Sequence, residues 1–584
     1  MAPGILYVTM QPSSTLSSSH FQDWYNNEHG PLRLRLSPSI TNGFRYRAID
    51  LDQPGNKDKD EYMAIYDLPD MSYLNTPDYL KLREGPVQSQ RECDIRPDIK
   101  INRGNFDFLR ESKSEAFQPL ETLAVENKQE DNIVVAATIT LKYPSSLPHL
   151  QAWYEEEHLP MLSKIPGWLR SRQFVTSSLD SASGGALEYL SLHEYSASNE
   201  YFGPLGKAAS STPRTKDIMQ NHVSSGSRRI FKRFYTFGPA PRCLKPLADT
   251  NVKIAPYENT APFARTRTMP SDGLPAIESY VLTKDNVKLP YRLEGSTDSD
   301  APVIVLVNSI LVTWGIWDGF VTSFFSKSEE NKKYRILRYN SRGRYNTSSS
   351  STERITIDTL ASDLIAILDA LRIPCAAAAV GVSLGGATVL AAGLQHPNRI
   401  AHFLSCDTSA SAPKGNAATW GERIAMAEKE GKTRSSDASS ITSLASSLGD
   451  ELLVSEQTPS EPIVGDQLAE ATASRWFPSE DFRKGDEYKR VRDMVAHNSL
   501  DGFKASVQAL WEYDYTELMG EYKGKGMFLV GSEDGKLPGS MKGMAEKLAG
   551  SGGSELVVVQ GAGHLPMVEK PGEVVDAVVR LLGA

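Results

Sequence analysis

Residues 376–388 read AAAAVGVSLGGAT. A run of small apolar residues passes through Gly381-Val382-Ser383-Leu384-Gly385-Gly386 into a second helix-forming stretch, VLAAGLQHP. The pattern predicts a short buried strand, a tight corner and then a helix. A serine on such a corner is suited to nucleophilic attack. Its small neighbours allow a strained backbone and a close approach of helix to strand. The helix N-terminus also places positive dipole near a developing oxyanion. A tight turn that merely contains a serine reads the same over these residues, so the partners must decide.

Upstream, ESYVLTKDNVKLPYRLEG reads as a hairpin, and APVIVLVNS and YRILRYNSRG read as short strands. TIDTLASDLIAILDALRI places Leu360, Leu364, Ile367, Leu368 and Leu371 on one helical face. The strand IAHFLSCD follows the serine segment. Strands alternating with helices imply a mostly parallel sheet covered on both faces. Further on, GKGMFLVGSEDGKLP puts Asp534 just past a strand, and ELVVVQGAGHLPMVEKP puts His564 in the loop after the next. Ser383, Asp534 and His564 thus arrive in the chain order of an α/β-hydrolase triad. Glu533 and Asp407 are alternative acids. His396 ends the helix after Ser383, where a structural role is expected, and His402 and His497 have no strand-end placement. The oxyanion donors are expected to be the backbone N–H groups of Ile310, in the Asn308-Ser309-Ile310-Leu311 loop, and Leu384.

The Asn308-Ser309 loop with Trp317-Asp318 downstream, GVSLGG, the GAGHLPMVEKP ending and the cap sequence SRWFPSEDF…VRDMVAHNSLDGF…ALWEYDY together resemble the 3-oxoadipate enol-lactonase branch of the α/β-hydrolases. The resemblance spans about residues 277–584. It implies a hydrolase fold with a helical cap at about 408–520, a small-molecule lactone or ester substrate, and no cofactor. Substrate-binding candidates are Asn308, Ser309, Trp317, Arg475 and Trp476. For the last two, a solvated Arg beside a core Trp is the alternative. Two departures bear on substrate rather than on chemistry. The usual D-x-R-G-x-G loop reads Tyr339-Asn340-Ser341-Arg342-Gly343-Arg344-Tyr345, and residues 408–470 carry a Ser-rich, charged extension. The same triad also serves relatives that cleave a C–C bond next to a carbonyl.

The N-terminal part is different and repeats itself. HFQDWYNNEHGPL (20–32) and HLQAWYEEEHLPM (149–161) share His, Trp, Tyr, Glu, His and Pro at a constant offset. Each copy lies within a β-α-β-β-α-β pattern, and Pro160 is expected to stop its helix. Such a unit leaves one sheet face open, so two copies are expected to close on each other. The W-Y-x-x-E-H-x-P signature resembles the EthD-like dimeric α+β barrels over about residues 1–240. That superfamily includes polyketide cyclases, monooxygenases and decarboxylases, which makes a fusion to a hydrolase look like a secondary-metabolism tailoring enzyme. His29 and His158 are candidate acid/base residues there, with a purely structural role as the alternative.

The fold class expected is therefore a tandem ferredoxin-like α+β barrel followed by an α/β-hydrolase fold. The boundaries are 1–120 and 121–240 for the repeats, 241–276 for a linker and 277–584 for the hydrolase. A net charge of −9 argues against nucleic acid or an anionic membrane as main partner. The four cysteines form no C-x-x-C pair, so neither a metal site nor a disulfide framework is expected and a cytoplasmic setting fits. The start MAPGILYVTM has no signal-peptide pattern, and nothing reads as a membrane span. Oligomeric state is not legible.

Overall fold

The computed structural model describes residues 2–37, 39–119, 131–181, 186–252, 254–261, 263–271, 273–344, 354–434, 460–548 and 554–583. Tyr345 and residues 435–459 of the Ser-rich extension lie outside the described residues. The chain divides into two compact units, Met1–Pro241 and Arg242–Ala584.

The first unit is a closed antiparallel barrel of eight strands. They are β1 (Gly4–Pro12), β2 (Asn42–Ala48), β3 (Tyr62–Leu68), β4 (Ile99–Lys113), β5 (Ile133–Leu141), β6 (Trp168–Thr176), β7 (Glu188–Tyr195) and β8 (Val223–Thr236). Around the ring the order is β1-β3-β2-β8-β5-β7-β6-β4. Alternation puts one set of residues into the lumen, where Ile5, Phe44, Ile65, Phe106, Leu190 and Phe231 form a dry core. The other set packs against helices: Leu150, Trp153 and Tyr154 lie against Tyr189 and Ile218. Closure removes the exposed edges that each four-stranded half would otherwise present.

Pro160 does not end its helix. Helical backbone runs through Leu147–Leu162, and the proline follows a five-residue π-turn, Tyr154–His158. The first repeat repeats this arrangement, with a π-turn at Tyr25–His29 and Pro31 inside Gly30–Leu36. A proline clashes with the carbonyl four residues back and lacks an N–H. The wider turn makes an i→i−5 bond, Gly30 N–H to Tyr25 O and Leu159 N–H to Tyr154 O, which alters that geometry just before the ring.

The second unit is built on a ten-stranded sheet. Residues 241–276, expected as a linker, supply two of its strands: β9 (Tyr257–Asn259) and β10 (Thr266–Met269) pair antiparallel at one edge. Three- and four-residue strands are too short to show a period, which is why composition alone suggested extended chain. Next come β11 (Ala276–Leu282), β12 (Lys288–Gly295), β13 (Val303–Val307), β14 (Arg335–Tyr339), β15 (Ala378–Val382), β16 (His402–Cys406), β17 (Lys525–Gly531) and β18 (Glu555–Val559). Their order, β18-β17-β16-β15-β13-β14-β12-β11-β10-β9, is parallel from β18 to β14 and antiparallel beyond. Between β16 and β17 the chain leaves the sheet and forms the cap helices, among them Asn416–Glu430, Asp466–Trp476, Asp486–Ala496 and Leu500–Ser506. Among the described residues no helix is long and apolar enough to cross a membrane.

Gly385 illustrates how tightly this sheet is covered. A Cβ there would lie 2.6 Å from Asn308 O and against Val307 O as well, both backbone atoms at the end of β13. Gly385→Ala is therefore expected to destabilise the second unit by about 1–3 kcal/mol, the usual cost of overpacking. Chemical denaturation would measure it.

Candidate active site

Ser383 stands between β15 and the helix Leu384–Gln395 with φ 59° and ψ −116°, a backbone that L-residues rarely adopt. Its N–H donates to Cys406 O at 2.9 Å and its carbonyl accepts from Ala387 N–H at 3.0 Å. The three neighbouring glycines each face another backbone. A Cβ on Gly381 would strike Gly385 O, and one on Gly386 would lie 2.6 Å from Cys406 O. The Ser383 side chain is half-buried, and its Oγ makes no hydrogen bond among the described residues.

His564 and Asp534 are joined directly. Asp534 follows β17, His564 follows β18, and His564 Nδ1 lies 2.6 Å from Asp534 Oδ2, with both side chains nearly buried. Burial opposes charge on Asp534. The His564 imidazole, Arg475 and a hydrogen bond from Asp407 outweigh it and hold the carboxyl below the usual range. Glu533, the neighbouring acid, is exposed and accepts from Ser532 Oγ at 3.0 Å. Among the other histidines, His497 bonds the carbonyl of Asp493 and His396 caps the elbow helix.

Asp407 adopts a second role. It is 1 % exposed, and its Oδ1 accepts from Gly531 N–H at 2.9 Å. Its other oxygen has no donor facing it, and the carboxylate of Asp534 lies beside it. Two buried carboxylates in contact cannot both be ionised cheaply. Burial first, and then the Asp534 charge, push Asp407 far above the usual range, which favours its protonated form. Asp407, Asp534 and His564 also bring three ligand-type atoms within 4.8 Å of one another. Two of the three, Asp534 and His564, are already bonded to each other.

The imidazole is placed from the cap. His564 N–H donates to Trp476 O at 2.9 Å, and the two rings stack at 5.8 Å with 21° between planes. A Cβ on Gly563 would meet that same Trp476 carbonyl. Gly563 N–H donates to Glu569 Oε2 at 2.6 Å, and burial raises the Glu569 carboxyl to about 7. Arg475 is solvent-accessible, within electrostatic reach of Asp534.

The loop after β13 is held from within. Asn308 Nδ2 donates to Tyr339 O and Asn340 Oδ1, and Asn308 Oδ1 accepts from Trp317 Nε1 at 3.1 Å. Both ends of the Asn308 amide are thus occupied, and Trp317 is fully buried. Ser309 and Ile310 are buried too, and Leu384 begins the elbow helix, where its N–H has no partner within the helix. Arg344, in the altered loop after β14, was not singled out from sequence. It donates to Val312 O, Ser309 O and the cap hydroxyl of Ser506, at 3.0–3.3 Å. An arginine two residues after another arginine in a turn gives no sequence signal of this role.

In the first unit, His29 Nδ1 lies 3.2 Å from Glu92 Oε2, with its ring against Trp24 and Tyr25. His158 Nδ1 bonds Ala209 O at 3.0 Å and stacks on Trp153. Burial lowers both to about 4, aided at His29 by Arg33.

An elbow serine, a strand-end carboxylate on a histidine and a cap over a parallel sheet describe the alpha/beta hydrolases. Residues 304–577 match the model of the alpha/beta hydrolase family, and this C-terminal region is an alpha/beta hydrolase. It is similar to 3-oxoadipate enol-lactonase 2 of Acinetobacter baylyi, 24% identical over 254 residues, which cover 43% of this chain and 78% of that protein. Among solved structures, a hydrolase from Pseudomonas aeruginosa is 26% identical, covering 53% of this chain and 98% of that one, with a TM-score of 0.41. The enol-lactonase from Burkholderia xenovorans is 23% identical, covering 52% of this chain and 100% of that one, with a TM-score of 0.41.

Two outcomes follow from the buried acids. Asp407→Asn keeps an acceptor for Gly531 N–H and a donor for Asp534, so its stability should match the parent. Asp407→Leu strips both, and should cost about 2–4 kcal/mol in chemical denaturation. Glu569 is raised from 4.5 to about 7 in the folded chain, so folding binds its proton. Its contribution is intact below about pH 4.5 and is lost as pH rises through 7. Glu569→Gln should leave Tm unchanged at pH 4.5 and raise it relative to the parent at pH 8.

Proposed function

We propose that the second unit is a serine hydrolase cleaving a carboxylic ester or lactone of a small organic acid. The observation that carries this reading is the buried His564–Asp534 hydrogen bond, in the same sheet that presents Ser383 on a left-handed corner. In the proposed reaction Ser383 Oγ attacks the acyl carbonyl while His564 Nε2 takes its proton. Asp534 fixes the imidazole with Nδ1–H toward the carboxylate and stabilises the imidazolium. The Ile310 and Leu384 N–H groups receive the oxyanion. His564 then protonates the leaving alkoxide, which for a lactone stays attached to the acyl chain. Water, deprotonated by His564, releases the acid and restores Ser383. Catalytic hydrogen bonds are often long without substrate, so the free Ser383 hydroxyl is compatible with this sequence of steps.

Similarity to 3-oxoadipate enol-lactonase 2 supports a lactone or an ester as substrate class, and in this reading Arg475 meets a substrate carboxylate. In the same reading the first unit is a tandem of ferredoxin-like, EthD-like repeats, and the protein works in the cytoplasm as a tailoring enzyme of secondary metabolism.

The test is chemical. An aryl fluorophosphonate should modify Ser383 alone, located by peptide mass spectrometry. Ser383→Ala should lose labelling and at least about 10³-fold in kcat on an activated aryl ester. Full hydrolysis by Ser383→Ala would end the proposal. Product analysis on a lactone and on a vinylogous diketone separates ester from C–C cleavage.

A further inference from the structure

The loop after β13 is anchored at both ends on one side chain, Asn340. Asn308 Nδ2 donates to Asn340 Oδ1 at 3.1 Å where the loop begins, and Trp314 N–H donates to the same oxygen at 2.9 Å where it ends. Between these anchors, residues 309–312 are hydrogen-bonded to a single side chain among the described residues. That side chain is Arg344, which is 1 % exposed. Its Nη2 donates to Ser309 O at 3.2 Å, and its Nε donates to Val312 O at 3.3 Å. The segment so held is strained. Leu311 has φ 67°, a left-handed backbone that a residue with a branched side chain rarely adopts. Arg344 holds one peptide on either side of it.

What this fixes follows from the peptide plane. In a trans peptide the carbonyl and the N–H of the next residue point in opposite directions. With Ser309 O directed at the buried guanidinium, the N–H of Ile310 points away from it. No acceptor among the described residues meets that N–H, nor the N–H of Leu384 at the start of the elbow helix. The two segments are in contact, since a Cβ on Gly385, next to Leu384, would lie 2.6 Å from Asn308 O. Two unpaired N–H groups on buried residues of touching segments are what an oxyanion site requires.

The guanidinium is in turn set by the cap. Its Nη1 donates to Ser506 Oγ at 3.0 Å, and Ser506 Oγ donates to Gly502 O at 2.7 Å. Gly343, with φ 78°, brings the chain so close to the cap that a Cβ on it would lie 2.6 Å from Gly502 O.

We propose that Arg344 is a positioning residue, which holds the Ser309–Ile310 peptide in the orientation that presents the Ile310 N–H to the oxyanion. This rests on the reading of Ser383 as nucleophile. Lysine is no substitute, because one ammonium lacks the planar fork that reaches three acceptors at once.

Kinetics on an activated aryl ester, combined with two ketones, test this. An aryl trifluoromethyl ketone takes Ser383 Oγ at its carbonyl carbon. The carbonyl π pair becomes the oxyanion, and the serine proton passes to His564 Nε2. The matching methyl ketone does not add and reports ground-state binding alone. Arg344→Lys should lower kcat by about 10–100-fold with KM within about threefold. Affinity for the trifluoromethyl ketone should fall by the same factor as kcat/KM, and the methyl ketone should bind within about twofold of the parent. Ser506→Ala removes only the cap's hold on the guanidinium. It should show the same pattern at about threefold, and it decides the matter if Arg344→Lys does not fold. Parent kinetics in the folded variant, or a loss shared equally by both ketones, overturns the proposal. Full hydrolysis by Ser383→Ala overturns the nucleophile reading instead.

Discussion

A residue with a side chain holds a left-handed backbone at the end of a fully buried strand, and the second unit is arranged around that strain. Such a conformation costs about 1–3 kcal/mol and persists only where its surroundings determine it. At Ser383 the surroundings are backbone rather than side chain. Its N–H reaches Cys406 O at the end of β16, and its carbonyl opens the elbow helix. Gly385 lies against the end of β13, and Gly386 against the end of β16. Any larger residue would push the helix off the strand ends, so the small residues of 376–388 all answer one requirement. Through these contacts the elbow ties together the loop after β13 and Asp407, and Asp407 reaches β17 through Gly531 N–H.

His564, the proposed general base, depends on a different part of the molecule. The His564 backbone is bonded to Trp476 and its ring stacks there, while the Gly563 amide is taken up by Glu569. The cap thus does more than cover the sheet: it supplies the surface that orients the imidazole. Arg344 extends the coupling, joining carbonyls of the loop after β13 to Ser506 of the cap. Close backbone contact between Gly343 and Gly502 puts the cap helix within reach of that guanidinium. The cap thus bears on both the His564 imidazole and the loop after β13.

What could be read from sequence was what is local. The elbow glycines, the strand-end positions of Asp534 and His564, and the internal repeat are visible as spacing, because each depends on residues a few positions apart. The roles of Asp407, Arg344, Trp476 and Glu569 depend on segments from opposite ends of the second unit, and no period records such meetings. Asp407 was noticed only as an alternative acid, since its proton follows from a neighbour that sits over a hundred residues downstream. Proline misled for the opposite reason. The local rule that it stops a helix is sound, but a π-turn just before Pro31 and Pro160 changes the geometry on which the rule rests.

The repeat itself separates architecture from chemistry. The parts that recur, Trp, Tyr and His on a π-turn, are those that pack helix against sheet in both halves. Both histidines are held near pKa 4 by burial, so at neutral pH each is an uncharged ring engaged by its neighbours. The halves also diverge at the strand ends. There Arg47 satisfies Glu61, while Val175 leaves Glu188 unanswered. The Arg47–Glu61 pair is largely exposed and such pairs contribute about 0–1 kcal/mol, so the barrel closes as well without its counterpart in the second half.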